Sequence, residues 1–588
     1  MKDKSTGIII RILKLTKPHW KLFAGFIIAI IFTAFLDSLG TYITKLIIDE
    51  GIMVENLEKV IYYCKLFGIT YLLNSISFFT FIYCAGRLGE WMQFDLREKL
   101  FNHIQELSFS FFDRSSTGWL LSRISSDTEK MADLATWMLL DSIWAFFNII
   151  ISLIFMAIIN IKLALIMALI LPLLVLIAGK FKIHILGEYR KVRSLNSKIT
   201  AAFSESFSGV KIVKALTREK TNLRDFGGLT GEMYHTSYRA AWLSAFFLPA
   251  VQLIITLALG AILWFGGWQI ELGFMTIGGL RAFIGFITFM LWPIQDLARV
   301  FSGMQQSIAA AERVFGLLDT PSDIQDKFEA MEDASYKGDI EFKNVSFSYK
   351  KDSPVLSNFN LSIKAGETVA IVGPTGGGKT TIASLISRYY EPEEGQILMD
   401  GVDNRDYTQK ALQSRIGVVL QKPHLFSGTI RENIEYGKPG ASFDEIINAA
   451  KTANSYNMIT SLKNKWDEIV GEDGTMLSQG QKQLISLTRA VLASPDILIM
   501  DEATSAIDTL TEKDIQKGIE ALLEDRTSII IAHRLSTIKD ADRILVVENG
   551  KIKEEGDHTK LLKNRGHYYE LYTSQFRRER TAAIGLLE

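Results

Sequence analysis

Six apolar stretches constrain what this chain can fold into more than any other feature. A bilayer core is crossed by roughly 20 helical residues, and only a helix or a closed barrel satisfies its own backbone there. Residues 22–44, 66–86, 142–161, 163–179, 242–267 and 274–293 fit a helix of that length. A tight turn at 160–162 separates the third from the fourth, and 268–273 joins the fifth to the sixth. The other two connections, 87–141 and 180–241, are long, charged, helically patterned and poor in proline. They are expected to carry the spans on as helices beyond the membrane.

Lys and Arg set the orientation. Lys2, Lys4, Arg11, Lys14, Lys17 and Lys21 precede the first span, and Arg87, Arg97, Lys99, Arg114, Arg123, Lys180, Lys182, Arg190 and Arg193 fill the long connections. Asp49, Glu50, Glu55 and Glu58 follow the first span. The N-terminus, both long connections and everything after Pro293 are therefore expected in the cytoplasm. The first apolar run is too long for a signal peptide and ends in no small-residue cleavage site. Asp37, Asn74, Asn148, Gln252 and Arg281 stand inside the apolar stretches. Such residues face a cavity or a partner, or snorkel to water. For Arg281, near the outer end of its span, both readings stand.

With 48% hydrophobic and 22% charged residues, the composition fits an apolar half joined to a soluble one. A net charge of −1 argues against electrostatic binding of nucleic acid. Two cysteines, Cys64 and Cys84, are too few for a disulfide scaffold or a zinc site.

After residue 320 the pattern changes. Residues 321–337 are polar and acidic and read as a linker; 338–576 read as a second domain, with a tail at 577–588. Within it, 339–350 alternates as a half-buried strand does. A second strand, 367–372, runs into Gly373-Pro374-Thr375-Gly376-Gly377-Gly378-Lys379-Thr380, and Thr381 continues into a helix expected over 381–389. This is the full phosphate-binding loop in its strand-to-helix context. Its glycines let backbone amides encircle a phosphate at a helix N-terminus. Lys379 reaches the β- and γ-phosphates, and the Thr380 hydroxyl is placed for Mg²⁺. Ile497-Leu498-Ile499-Met500 is a buried strand ending in Asp501-Glu502. There the aspartate can hold the Mg²⁺ shell and Glu502 can polarise an attacking water. His533 ends another apolar strand, 528–532, in reach of a γ-phosphate.

Together these residues resemble the ATP-binding-cassette (ABC) exporters, over nearly the whole chain. The decisive motif is Leu477-Ser478-Gln479-Gly480-Gln481, similar to the family signature L-S-G-G-Q. The resemblance implies an all-α transmembrane domain of six spans followed by an α/β P-loop ATPase domain, with ATP and Mg²⁺ as cofactors. It implies Tyr349 as the aromatic that stacks on adenine and Gln421 as the loop glutamine that touches Mg²⁺ and senses the membrane domain. Val470-Gly471-Glu472 resembles a loop that meets the partner's coupling helices, Asp508 belongs to a loop crossing the dimer interface, and His533 matches the switch histidine. Residues 116–127 and 206–213 are expected as coupling helices. Ser478, Gln479, Gly480 and Gln481 would close on the partner's ATP.

The implied partners are a second half-transporter, the lipid bilayer and a small hydrophobic or amphipathic substrate. The implied place is the inner membrane of a bacterial cell, and the implied work is export of drugs or lipids. An ATP-gated channel or regulator, and a dedicated lipid flippase, are the alternatives on the same fold. Gln479 departs from the family's glycine, adding bulk and restriction where backbone would approach the partner's γ-phosphate. That favours a heterodimer with one impaired site; a homodimer that tolerates a solvent-facing Gln479 stays open.

Overall fold

The computed structural model describes residues 2–333, 337–350, 353–501, 509–532 and 538–574. The chain forms two units. One is Met1–Gln105 with Ser116–Thr320, and the other is Glu106–Ser115 with Pro321–Glu588.

The first unit is helical. Its helices are α1 (Lys2–Leu15), α2 (Trp20–Leu46), α3 (Leu57–Gln105), α5 (Thr117–Ser122), α6 (Thr128–Asp133), α7 (Leu139–Ile159), α8 (Ile161–Ser208), α9 (Val210–Ala215), α10 (Glu219–Glu271) and α11 (Ile277–Leu318); α4 (Phe109–Arg114) belongs to the second unit. Among the described residues, five helical segments are long and apolar enough to cross a membrane, and the apolar part described for α11 is Ile277–Met290. The long connections are continuations of the spans: α3, α8 and α10 run 49, 48 and 53 residues without a break. Asn160 alone makes the turn between α7 and α8; its extended backbone ends one helix while its Oδ1 accepts from the amides of Lys162 and Leu163 and caps the next.

Some polar side chains of the bundle pair with one another, while the amide of buried Asn148 has no hydrogen-bond partner among the described residues. Asp37 on α2 accepts a hydrogen bond from Asn74 Nδ2 at 2.7 Å and another from Trp144 on α7, so it does not snorkel. Thr33 and Ser77 pair at 2.9 Å one turn below. Arg281 is exposed, one turn into α11, and Gln252 is exposed on α10. At the other end of α2, Asp49 pairs with Lys45 at 3.0 Å and accepts from Thr276 Oγ1 at 2.6 Å and the Gly278 amide at 2.8 Å. A Cβ on Gly278 would lie 2.5 Å from that carboxylate, so the residue must be glycine for the contact to form.

The sequence reading expected the first coupling helix at 116–127. The structure instead gives the second unit the ten residues before it, Glu106–Ser115. Residues 116–127 stay with the membrane helices because Asp127, fully buried, accepts from Arg123 at 2.5 Å and from Arg313 on α11 at 2.6 and 3.0 Å. Residues 206–213 span the end of α8, the turn at Gly209 and the start of α9, with Phe207, Val210 and Ile212 exposed.

The second unit has two sheets. An antiparallel sheet has the order β2-β1-β4-β5, with β1 Ile340–Ser348, β2 Pro354–Ile363, β4 Glu394–Met399 and β5 Val402–Asp403. The main sheet is β10-β9-β3-β8-β7-β6, parallel except for β10, with β3 Thr368–Val372, β6 Ile416–Val419, β7 Ile497–Asp501, β8 Thr527–Ile531, β9 Arg543–Glu548 and β10 Lys551–Gly556. Strands β3, β7, β8 and β9 are largely buried, apolar runs because both faces are covered. Val369, Ile371, Ile529 and Ile531 face the antiparallel sheet and α12 (Lys379–Ile386). Ala370, Val372, Ile530 and Val546 face the helices Gln479–Ala493 and Thr509–Leu523. The helix after the phosphate loop thus starts two residues earlier and ends three earlier than the sequence suggested.

Burial raises the Asp127 carboxyl, and the guanidiniums of Arg313 and Arg123 more than reverse this, holding it below the usual carboxylate range. A depressed folded value means the contribution is complete at neutral pH and is lost as pH falls through that value. Asp127→Ala leaves Arg123 buried without its partner and is expected to destabilise the membrane unit by about 3 kcal/mol. A thermal-unfolding midpoint equal to wild type at neutral pH would show the network to be dispensable.

Candidate nucleotide site

The site is built where β3 gives way to α12. Gly373 has φ +147°, and a Cβ there would overlap the carbonyl oxygen of Val547 at the end of β9; a Cβ on Gly377 would lie 2.8 Å from the same oxygen. Gly378, at φ +101°, is the left-handed N-cap of α12 and turns the loop into the helix. The Lys379 side chain is 6% exposed and folds back over the loop, its Nζ donating to the carbonyls of Gly373 at 3.0 Å and Pro374 at 2.9 Å. An ammonium has three N–H donors, so one is left for an anion. Burial pushes the Lys379 ammonium below its usual pKa and Asp501 partly restores it, which suits a cation awaiting negative charge.

Around this loop lies a cavity of about 510 Å³ lined by Tyr349, Val355, Thr375, Gly376, Gly378, Lys379, Thr380, Thr381, Gln421 and Asp501. Nine of these residues were singled out from the sequence. Val355, on β2, was not: its type carries no chemical signal, and only the fold brings it there. Gly373, Pro374 and Gly377 support the loop from behind. Tyr349 donates to Thr381 Oγ1 at 3.2 Å, which fixes its ring in the cavity wall, while Asp501, the last residue of β7, and Gln421 add polar, oxygen-bearing side chains to the lining. Thr380, Gln421 and Asp501 together offer hard oxygen donors of the kind Mg²⁺ takes alongside nucleotide phosphates.

The signature residues are not in this cavity. Ser478 caps the helix Gln479–Ala493 by a reciprocal pair: its Oγ accepts from the Gln481 amide, and Gln481 Oε1 accepts from the Ser478 amide at 2.8 Å. Ser478 and Gln479 are exposed and Gly480 is buried. Gln479 lies in ordinary helical backbone as the first helical residue, so its departure from glycine adds exposed bulk but no strain. Gly471 takes φ +73° in the loop just before it, and Val470 is buried. Glu502, Asp508 and His533 lie outside the described residues.

A phosphate-binding strand–loop–helix on a parallel sheet, with an aromatic and an aspartate in the lining of its cavity, defines a P-loop nucleotide-binding domain, here following a set of membrane-crossing helices. The chain belongs to the ABC transporter family. Residues 23–294 match the ABC transporter transmembrane region and residues 356–505 match the ABC transporter domain. It is 37% identical to the ATP-dependent lipid A-core flippase of Syntrophus aciditrophicus (strain SB), over 98% of this chain and 96% of that protein. It is 38% identical to the fatty acid ABC transporter ATP-binding/permease protein of Mycobacterium tuberculosis (strain CDC 1551 / Oshkosh), over 81% of this chain and 75% of that one. Among solved structures, a bacterial Atm1-family ABC exporter with ATP bound superposes with a TM-score of 0.76 at 28% identity, covering 94% of this chain and 98% of that chain. The chain is a multi-pass membrane protein and an ABC exporter, an ATPase coupled to transport, and as a half-transporter it works as a dimer.

Removing the buried Lys379 ammonium deletes a charged contact worth about 1.5–3 kcal/mol. Lys379→Ala is therefore expected to weaken ATP binding by roughly 10- to 150-fold, measured by titration calorimetry without Mg²⁺. Unchanged affinity would remove Lys379 from the phosphate site.

Proposed function

We propose that this chain is half of an inner-membrane exporter that moves lipids or other hydrophobic or amphipathic compounds outward at the expense of ATP. The observation that carries the reading is the cavity around Lys379, with Tyr349, Thr380, Gln421 and Asp501 on its walls, in a chain whose other unit is a bundle of membrane helices. The relatives named for a lipid A-core and for a fatty acid support an amphipathic substrate. The N-terminus and the ATPase domain lie in the cytoplasm, as the distribution of Lys and Arg argues.

In this reading the base of ATP stacks on Tyr349 and the phosphates are held by the loop amides and Lys379. Thr380, Gln421 and Asp501 would hold Mg²⁺, which would supply positive charge against that developing on the phosphoryl group. Glu502 accepts the proton of the attacking water, and His533 contacts the γ-phosphate. Ser478 and Gln479 stand exposed at a helix N-terminus because their ligand comes with the partner chain, and Asp508 crosses that interface. Binding of two nucleotides favours the closed dimer; moving it from mostly open to mostly closed takes about 5.5 kcal/mol of differential binding. Residues 106–115 take the role first given to 116–127, and the exposed turn at 206–213 meets the partner.

Gln479 leads us to favour a heterodimer. Its competent site combines Lys379, Asp501, Glu502 and His533 with the sister's signature, and its impaired site combines Ser478, Gln479 and Gly480 with a sister P-loop lacking its base.

Glu502→Gln is expected to bind ATP yet hydrolyse it roughly 10²–10⁴-fold more slowly, in a phosphate-release assay; near-normal turnover would take the catalytic role away from Glu502. Gln479→Gly is expected to leave hydrolysis by the native complex nearly unchanged, since it repairs a signature facing a site without its base. A clear change in rate, with two equivalent hydrolysing sites in the chain purified alone, would establish the homodimer instead.

A further inference from the structure

We infer that Tyr390 is a positioning residue that makes the docking of residues 106–115 depend on a nucleobase at Tyr349. The inference rests on the nucleotide reading of the cavity and adds a route out of it.

The route begins at the loop 388–391, directly after α12. Arg388 is 1% exposed, and its guanidinium donates to Glu391 at 2.9 Å, Asp326 at 3.2 Å and the carbonyls of Tyr407 and Gln325 at 2.7 and 3.3 Å. With every direction of the guanidinium taken, the loop is fixed to the body of the ATPase unit. The next two residues both face outward from that anchor onto α4. Tyr389 stacks on Phe109 with centroids 4.1 Å apart and planes 24° from parallel. Tyr390 donates its hydroxyl to the carboxylate of Asp113.

Tyr390 has a second neighbour that Tyr389 lacks. Its ring meets Tyr349 edge to face at 5.0 Å and 88°, and both pack on Phe347. Tyr349 is the ring that lines the cavity. A base stacked there fixes the ring that Tyr390 leans on, and an edge-to-face pair tolerates little rotation of either member. The Tyr390 hydroxyl then holds its aim at Asp113. Burial, reinforced by the Asp113 charge, keeps the phenol protonated and hence a donor. Residues 106–115 are joined covalently to α3 at Gln105 and to the membrane unit again at Ser116. Tighter docking of these ten residues is therefore felt by the membrane helices without any further contact. The loop carries two inputs: phosphate binding through α12, and base binding through Tyr349 and Tyr390.

The test uses the full-length chain in lipid nanodiscs with hydrogen–deuterium exchange followed in peptides covering 373–380 and 106–115. ATP without Mg²⁺ is expected to slow both in wild type. Inorganic tripolyphosphate, dosed to the same slowing at 373–380, acts only through α12 and is expected to slow 106–115 about fivefold less than ATP does. In Tyr390→Phe, ATP should still slow 373–380, but its effect at 106–115 should fall about fivefold or more, the size of an ordinary coupling. Asp113→Ala should behave the same way, and it carries the test should Tyr390→Phe fold poorly. Asp113→Asn retains an acceptor and should keep the wild-type response, which a general loosening of the loop would not allow. A wild-type response at 106–115 in Tyr390→Phe, or equal slowing there by tripolyphosphate, overturns the inference. Failure of ATP to slow 373–380 in wild type would instead overturn the nucleotide reading beneath it.

Discussion

Gly373 is pressed so closely on the carbonyl oxygen of Val547 that no side chain fits between them. That approach exists because β3 lies beside β9 in the parallel sheet, and it fixes where the phosphate loop turns. The turn sets the start of α12 at Lys379, the helix delivers the loop 388–391, and Arg388 locks that loop to the linker at Gln325 and Asp326. Phe109 and Asp113 then dock on Tyr389 and Tyr390. The path from a phosphate to the chain of the membrane helices is one helix and one loop long. Parts that short pass on a displacement rather than absorb it, because packed side chains have discrete arrangements.

The membrane unit follows a different physics. With no hydrophobic difference between helix and lipid, its specificity comes from packing and from hydrogen bonds across helices. The links Thr33–Ser77 and Asp37–Asn74 tie α2 to α3, and Trp144 ties the same carboxylate to α7. At the far end of α2, Asp49 reaches across to the start of α11. Polar contacts of this kind are few and directional, so a bundle held by them can exchange one set for another.

The sequence made some of this plain and hid the rest. The phosphate loop was legible because its chemistry demands fixed residue types at fixed spacing. The apolar stretches were legible because the bilayer sets a length. The break at Asn160 was legible because a capping residue stands between two apolar runs. The docking segment was not: 106–115 is short, mixes Ser, Phe and Asp without a period, and owes its place to Tyr389 and Tyr390 almost 280 positions away. The first coupling helix was expected at 116–127, residues that Asp127 ties to Arg313 of α11. The partners of Asp37 lie in other helices and carry no local signal. At Gln479 the expectation of backbone restriction ignored that the residue is the first of a regular helix, where any side chain is at ease.

The account rests on nucleotide bound in the ATPase unit changing the arrangement of the membrane helices. Cys64, exposed near the start of α3, is a native labelling site, while Cys84 is buried. A second spin label at Glu271→Cys, where α10 ends, gives a distance within one chain that does not depend on which partner completes the dimer. Measured by pulsed electron spin resonance in the Glu502→Gln background, this distance distribution should shift to a new population when saturating ATP and Mg²⁺ are added. A distribution that stays the same with and without ATP, in protein shown to bind it, would contradict the account.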